Sequence, residues 1–111
     1  MRIVLVEPQH PGNIGAVARA MANFGVTDLA LVNGCEINDD GYARSKSGKP
    51  ILENLKRFNA MESALADCDI AIGTSGIKPE GDKRWFRAPK DVKKINELIN
   101  EREKPALVFG R

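Results

Sequence analysis

The sequence is poor in the residues that build disulfide frameworks, metal sites and membrane spans. Its 111 residues include only two cysteines, Cys35 and Cys68, and one histidine, His10, and these three have no metal-ligand spacing. Such isolated cysteines are typical of reduced thiols in the cytosol. No apolar run approaches the ~20 residues that cross a bilayer, and the first residues lack the long apolar stretch of a secretory signal. We therefore expect a cytoplasmic protein with no membrane contact and no bound metal.

A strong excess of charge is also absent. The chain has 17 lysines and arginines against 15 aspartates and glutamates, which gives a formal net charge of +2, so any basic surface must be local. The glycines near the N-terminus match neither G-x-G-x-x-G nor G-x-x-x-x-G-K-[ST], and this spacing excludes the common dinucleotide and P-loop sites. The length predicts a single domain over residues 1–111.

Four short apolar runs are present instead. They cover residues 3–6, 29–32, 70–72 and 106–109. Continuous runs of this kind are typical of strands that are covered on both faces of a parallel sheet. Apolar residues with helical spacing lie between them and predict helices at about 13–24, 49–58, 61–67 and 89–102. Because strands and helices alternate, the fold class is α/β with a parallel sheet and right-handed crossovers.

Two predicted loops, residues 33–50 and 74–89, follow the C-terminal ends of predicted strands. Ligands of open α/β sheets bind at that edge. Long loops in a compact domain are also more often functional than idle. We therefore expect the functional residues to lie on these loops and on the helix that follows the first strand.

The stretch "PGNIGAVARAMANFG", residues 11–25, joins a turn to that helix. Asn13 is a good N-cap residue. Arg19 lies off the apolar stripe of the helix and shares a face with Gly15 and Asn23, four residues to either side. A glycine one turn before an arginine leaves room for a partner to approach. The alternative is an ordinary solvated arginine.

Three segments resemble a known family in the same order along the chain. They are "VEPQHPGNIGAVARAMANFGVTDLALVN", "ALADCDIAIGTSG" and "PALVFGR", and they resemble SpoU/TrmH-type RNA 2′-O-ribose methyltransferases of the SPOUT superfamily, the TrmJ-type subgroup above all. The first contains the pattern N-x-G-x-x-x-R…F-G of family motif 1. The last contains the opening of motif 2, L-V-F-G-R.

The resemblance implies a fold and an activity. It implies a parallel, Rossmann-like α/β sheet whose C-terminal part is tied into a trefoil knot, and a homodimer in the full-length form. It also implies transfer of a methyl group from S-adenosyl-L-methionine to a ribose 2′-hydroxyl of RNA, with tRNA as the expected substrate. Arg19 would be the catalytic arginine, and Asn13 would position the RNA or hold the motif 1 turn. Thr74, Ser75, Gly76 and Gly110 would contact the cofactor.

Physical chemistry is consistent with these implied roles. A 2′-hydroxyl is a weak nucleophile that needs alignment and help in losing its proton. Since arginine does not readily release its own proton, stabilising negative charge suits Arg19 better than acting as a free base.

The second predicted loop combines cations with aromatic rings. Its basic residues are Lys78, Lys83, Arg84 and Arg87, and they lie beside Trp85 and Phe86. Cations for phosphate and rings for base stacking predict an RNA-binding surface. A solvated loop with a buried tryptophan is the alternative.

The chain departs from the family pattern at its end. It stops at "ALVFGR", whereas family members continue into the knot and motif 3. "TSG" also replaces the more usual Thr-Ser/Thr-Ala-Arg, so the arginine expected after Ser75 is absent. We therefore expect residues 1–111 to be the N-terminal two-thirds of a SpoU-type methyltransferase domain and to be inactive by themselves.

Two other interpretations were compared with this one. A non-catalytic RNA-binding or dimerisation fragment of the same family would keep the basic loop and bind no cofactor. A receiver-type signalling domain needs a carboxylate cluster after the first strand and an aspartate at the end of the third. The sequence disfavours it, because Glu7 stands alone and the third run ends in Gly-Thr-Ser.

Overall fold

The chain forms an alternating series of strands and helices, seen in a computed structural model that describes residues 1–73, 85–87, 92–100 and 102–110. The strands are β1 (Arg2–Val6), β2 (Asp28–Val32), β3 (Lys56–Phe58), β4 (Ile70–Gly73), β5 (Trp85–Arg87) and β6 (Pro105–Phe109). The helices are α1 (Pro11–Asn23), α2 (Asp39–Ser45), α3 (Lys49–Glu53), α4 (Met61–Leu65) and α5 (Val92–Asn100), and a 3-10 turn (Lys46–Gly48) links α2 to α3. No helix within the described ranges is long and apolar enough to span a membrane.

The described strands form one sheet in the order β3-β2-β1-β6-β4-β5. Every neighbouring pair is parallel. In the central strand β1, Val4 lies opposite Ala30 of β2 on one side and Val108 of β6 on the other. Each of the four predicted runs lies within a strand, so the predicted α/β class and parallel sheet are confirmed.

One predicted helix is wrong in its second half. The helix expected at about 49–58 ends at Glu53, and Lys56–Phe58 form the edge strand β3 beside β2. Asn54 closes α3 because its side-chain amide donates to the carbonyl of Pro50 at 2.8 Å. The spacing of Leu55 and Phe58 fits a helix as well as a short strand, and pairing with the exposed edge of β2 decides between them.

The predicted loops also contain regular structure. Helix α2 lies inside the loop predicted at 33–50, where the side chain of Asn38 caps it by accepting from the N–H of Gly41 at 3.0 Å. Asp39 and Asp40 occupy its first turn, where the helix dipole favours negative charge. Strand β5 lies inside the loop predicted at 74–89. Helices α4 and α5 confirm the helices predicted at about 61–67 and 89–102, with ends that differ from the predicted ones by three residues or fewer.

The sheet separates two apolar clusters. Alternate residues of each strand point to opposite faces, so Ile3 and Leu5 pack with α1 and α3 while Val4 and Val6 pack with α4. Because both faces are covered, the strands show no alternation of apolar and polar residues in the sequence.

Charged residues meet at the end of the sheet where β1 and β2 begin. Arg2 is 5% exposed, and it forms salt bridges with Asp28 at 3.1 Å and with Asp67 at 2.7 Å. Its guanidinium also donates to the carbonyl of Ala64 at 2.7 Å. Burial lowers the pKa of Arg2, but the two carboxylates outweigh burial and the net shift is upward. This network ties β1 to β2 and to the end of α4.

Candidate functional site

A pocket of ≈ 260 Å³ opens at the carboxyl ends of β1 and β6, beside the start of α1. Its lining is mostly apolar and consists of Leu5, Val6, Pro8, Gln9, His10, Asn13, Ile14, Val17, Phe109 and Gly110. Asn13 comes from the motif 1 segment and Gly110 from the motif 2 segment, nearly 100 positions apart in the sequence. The fold therefore brings two of the predicted site residues into one pocket, at the sheet edge where open α/β folds bind ligands.

Asn13 does not cap α1, so that prediction is wrong. The helix begins two residues earlier at Pro11, and the N-cap residue is His10, which makes no side-chain cap hydrogen bond. Proline suits the first helical position because its φ angle is already helical and its missing N–H has no partner there. Asn13 thus lies in the first turn, where its N–H donates to the carbonyl of His10 at 3.0 Å, and its side chain is exposed at the pocket.

Glycines let α2 approach α1 closely. A methyl group on Gly15 would collide with the carbonyl oxygen of Gly41 in α2, and one on Gly48 would collide with the backbone of Ala18. The room predicted beside Gly15 is therefore occupied by the chain's own helix α2 rather than by a partner. This contact fixes the orientation of α1 and, with it, the directions of Asn13 and Arg19.

Arg19 is exposed but does not line the pocket. Six residues separate it from Asn13, which corresponds to about 9 Å along the helix and about 120° around it. Within the described ranges, its side chain makes no hydrogen bond or salt bridge. The structure of this chain therefore leaves Arg19 available on another face of α1 and does not bring it to Asn13 and Gly110.

Most of the remaining predicted site residues cannot be compared with the structure. Thr74, Ser75, Gly76, Lys78, Lys83 and Arg84 lie outside the described residues. Arg87 is the last residue of β5, paired in register with Gly73 of β4. Within the described ranges, no group of three histidine, cysteine, aspartate or glutamate residues could hold a metal ion.

A second cleft was not predicted from the sequence. This β1–β2 cleft, of ≈ 390 Å³, lies between the segments that follow β1 and β2 and is lined by Glu7, Pro8, Gln9, Asn33, Gly34 and Cys35. It shares Pro8 and Gln9 with the first pocket. Asn33 opens the predicted loop 33–50, so the position of that loop after a strand was the available signal.

A sequence profile of the SpoU rRNA methylase family matches residues 1–111. The chain belongs to the SpoU rRNA methylase family. Among its relatives, the tRNA (cytidine-2′-O-)-methyltransferase TrmJ of Methanocaldococcus jannaschii is 36% identical over 111 residues, covering 98% of this chain and 48% of the relative. The tRNA (cytidine/uridine/adenosine-2′-O-)-methyltransferase TrmJ of Pseudomonas aeruginosa is 41% identical over 116 residues, covering 100% of this chain and 44% of the relative.

Solved structures of the SpoU family share the fold. The crystal structure of TrmJ from Z. mobilis ZM4 superimposes with a TM-score of 0.79 at 30% identity, over 98% of this chain and 48% of that one. A probable methylase family protein from Haemophilus influenzae gives a TM-score of 0.76 at 32% identity, over 99% of this chain and 45% of the other. The chain thus spans under half the length of these relatives.

Proposed function

We propose that this chain is the N-terminal, single-domain part of an S-adenosyl-L-methionine-dependent 2′-O-ribose methyltransferase that acts on tRNA in the cytoplasm as a homodimer. The observation that carries the proposal is the meeting of Asn13 and Gly110 in one pocket at the carboxyl edge of the sheet. The family match and the names of the relatives support the substrate class. The expected cofactor follows from the resemblance of motifs 1 and 2.

The pocket fits part of such a cofactor. Gly110 has no side chain, so its backbone is open to a bound molecule, and Leu5, Val17 and Phe109 supply apolar surface beside it. Thr74, Ser75 and Gly76 would hold the other part, following β4 directly in the sequence. When bound, S-adenosyl-L-methionine supplies a methyl group on a positively charged sulfur.

The chain's own polar residues would then handle the RNA. Asn13 is exposed at the pocket and can donate to or accept from a ribose or phosphate oxygen. Arg19 would stabilise the developing oxyanion of the 2′-hydroxyl or hold a phosphate, since its guanidinium is always charged and has no partner within the described ranges. Lys78, Lys83, Arg84 and Arg87 would extend the contact along the RNA backbone.

A non-catalytic RNA-binding or dimerisation fragment is the second candidate. It is favoured by one observation, that Arg19 does not line the pocket that contains Asn13 and Gly110. In this function the chain would bind tRNA and would neither bind the cofactor nor transfer a methyl group.

One set of measurements on the 111-residue chain separates the two. Calorimetry with S-adenosyl-L-methionine measures cofactor binding, fluorescence anisotropy measures tRNA binding, and mass spectrometry detects new 2′-O-methyl groups after incubation with both. Methyl transfer supports the enzyme, whereas tRNA binding without cofactor binding supports the fragment. A chain that binds neither tRNA nor cofactor would overturn both functions.

Arg19 gives the sharpest variant for the catalytic role. In a preparation that transfers methyl groups, we expect Arg19→Ala to lower single-turnover transfer by about 10² to 10³ while leaving cofactor affinity unchanged. Lysine should restore little activity because it lacks the planar fork that can hold two oxygens at once. Near-normal transfer by Arg19→Ala, or a loss of cofactor affinity in proportion to the rate, would contradict the assigned role.

A further inference from the structure

Four exposed cations lie on two segments that contain no aspartate or glutamate, residues 11–25 and 41–52. They are Arg19, Arg44, Lys46 and Lys49, and together they form what we call the basic strip. The whole chain carries a net charge of only +2, so a basic surface has to be local. The basic strip is such a surface, and it is separate in the sequence from the predicted basic loop 78–87.

Close backbone packing brings the two segments together. A methyl carbon on Gly48 would lie 2.6 Å from the backbone nitrogen of Arg19, so the turn Lys46–Gly48 lies directly against α1. Lys49 follows Gly48 in the chain, and its Cα atom is therefore within about 8 Å of the Arg19 nitrogen. Since all three cations are exposed on long side chains, they can reach the same anionic group or neighbouring ones.

Arg44 extends the basic strip toward the first pocket. A methyl carbon on Gly12 would lie 3.1 Å from the guanidinium carbon of Arg44, so this side chain covers the first turn of α1, beside Asn13. Arg44 also forms a salt bridge with Asp40 at 3.2 Å, which balances part of its charge. The seven residues from Gly12 to Arg19 correspond to about 10 Å along the helix. The basic strip therefore follows α1 from the residue before Asn13 to Arg19.

The other three cations of the basic strip have no protein partner. Within the part of the chain that the structure describes, the side chains of Arg19, Lys46 and Lys49 make no hydrogen bond and no salt bridge. Lys49 and Glu53 have the i,i+4 spacing that favours an ion pair on a helix, yet they form none. Three positive charges are therefore left for an external anion.

The backbone of Lys46 is unusual and is held in place from both sides. Its φ angle of 48° lies in the left-handed region, which glycine adopts at lower cost and which is common near ligand sites. On one side, the buried hydroxyl of Ser45 donates to the carbonyl of Tyr42 at 2.6 Å. On the other side, Gly48 packs on α1. The turn is therefore fixed before any ligand arrives, which lowers the entropic cost of binding.

We infer that the basic strip binds successive phosphates of the tRNA backbone, so that the RNA lies along α1 with the nucleotide to be methylated at the first pocket. The inference rests on the proposed function. Contacts from lysine and arginine to phosphates position a nucleic acid and carry no information on its sequence. Tyr42, which is 39% exposed on the same helix as Arg44, adds an aromatic ring on which an unpaired base can stack.

The test measures the affinity of the 111-residue chain for tRNA by fluorescence anisotropy at several salt concentrations. Lys46→Gly and Lys49→Gln should each lower the affinity about threefold. Each should also make the slope of log affinity against log salt concentration shallower by about 0.7 to 0.9, the value expected for one lost phosphate contact. Lys46→Gly should have a thermal midpoint no lower than that of the wild type, because glycine suits the left-handed backbone.

Lys104→Gln is the matched control. It removes one positive charge from an exposed position just before β6, at the opposite end of the sheet from the first pocket, and it should keep the wild-type affinity and salt slope. Unchanged affinity and slope in Lys46→Gly and Lys49→Gln, or an equal loss in Lys104→Gln, would overturn the basic strip while leaving tRNA binding intact. Failure of the wild-type chain to bind tRNA would instead overturn the proposed action on tRNA, and the inference with it.

Discussion

The two ends of the parallel sheet use their polar residues differently. At the end where β1 and β2 begin, Arg2 is buried and bonded to two carboxylates and a carbonyl. At the end where the strands finish, Asn13 is exposed at a pocket, two residues have left-handed backbones, and two clefts adjoin. The first end holds the fold together, whereas the second exposes Asn13 at a pocket.

Arg2 and Arg19 illustrate the difference between the two ends of the sheet. Arg2 is enclosed by protein groups that satisfy its charge, and Arg19, on the exposed face of α1, has no such partners within the described ranges. Removal of a buried, paired charge destabilises a protein, whereas removal of an exposed one usually does not. The same residue type therefore serves stability in one place and remains available for binding in the other.

The largest effect is expected from Arg2→Met. It removes the cation that Arg2 supplies to Asp67 and leaves Asp28 with Lys56 alone. Because the hydrogen bonds of the buried guanidinium to both carboxylates and to Ala64 are lost together, we expect a loss of about 3 kcal/mol in the free energy of unfolding, measured in urea. Arg102→Met, at an exposed position before β6, is the control and should change stability by less than about 0.5 kcal/mol. Equal stability of the two variants would show that the Arg2 network does not hold the sheet.

A second test acts on the contact that orients α1. Gly15→Ala should lower the free energy of unfolding by about 2 kcal/mol, because its methyl group collides with the carbonyl of Gly41. Helix propensity alone predicts that the same change raises the free energy of unfolding by up to about 1 kcal/mol. The sign of the measured change therefore shows whether the collision or the helix propensity dominates. The control is Asn23→Ala, at an exposed position on the same helix, and a stabilised Gly15→Ala variant would contradict the close approach of α2.

The third test measures what Arg19 contributes to binding. Arg19→Ala should change the free energy of unfolding by less than about 0.5 kcal/mol, while lowering tRNA affinity about tenfold through loss of a charged hydrogen bond. Arg102→Ala removes an exposed arginine near the opposite end of the sheet and should leave tRNA affinity nearly unchanged. If both variants lose affinity equally, binding is spread over the whole surface and the two ends do not differ.

A fourth test concerns an apolar flank between the two ends. Phe24 is 84% exposed and borders an apolar groove of ≈ 500 Å³ between α1 and strands β1 and β6. Exposed apolar surface of this kind favours association, so we expect the chain to self-associate. Phe24→Ser should shift sedimentation velocity toward the monomer with no loss of stability. A wild-type monomer at high concentration would contradict the expectation.

The smallest effect is expected from acidification. The hydrogen bond from Arg2 holds the pKa of Asp67 below its ordinary value of 3.8, more than burial raises it. A carboxyl group whose pKa is lower in the folded state than in the unfolded state stabilises the fold at any pH above its unfolded-state pKa. This stabilisation is lost as the pH falls through the folded-state pKa. Stability should therefore decline below about pH 4, and the decline should be shallower in Arg2→Met. Since Asp67 is about half exposed, the change is modest, and an identical pH profile in the two proteins would contradict it.

The parts of the fold that were predicted correctly have strong local signals. The apolar runs of β1, β2, β4 and β6 are continuous because both faces of the sheet are covered. The edge strand β3 has no such signal, since Lys56 and Arg57 are exposed and its strand geometry comes from pairing with β2. Helix α2 did have a signal in Asn38, Asp39 and Asp40, but the abundance of turn-forming residues around it favoured a loop.

The candidate site also has parts that the sequence indicated and parts that it did not. Asn13 and Gly110 were identified from motifs, and the structure places both of them at one pocket, while their roles stay predictions. The β1–β2 cleft had no motif, because it depends on the left-handed backbone of Glu7 and Asn33 and on a hydrogen bond between two loops. The roles of Arg19, of the cofactor contacts and of the basic loop 78–87 remain predictions.

The sequence by itself determined the class of the fold, the positions of four strands along the chain and the family, because apolar runs and motif spacings are local properties that can be read along the chain. The tertiary structure alone decided that α2 fills the space beside Gly15, that Arg2 is buried among carboxylates, and that Asn13 and Gly110 line one pocket. These outcomes depend on contacts between residues far apart in the chain. Such contacts are set by how the helices pack on the sheet, and no local pattern specifies that packing.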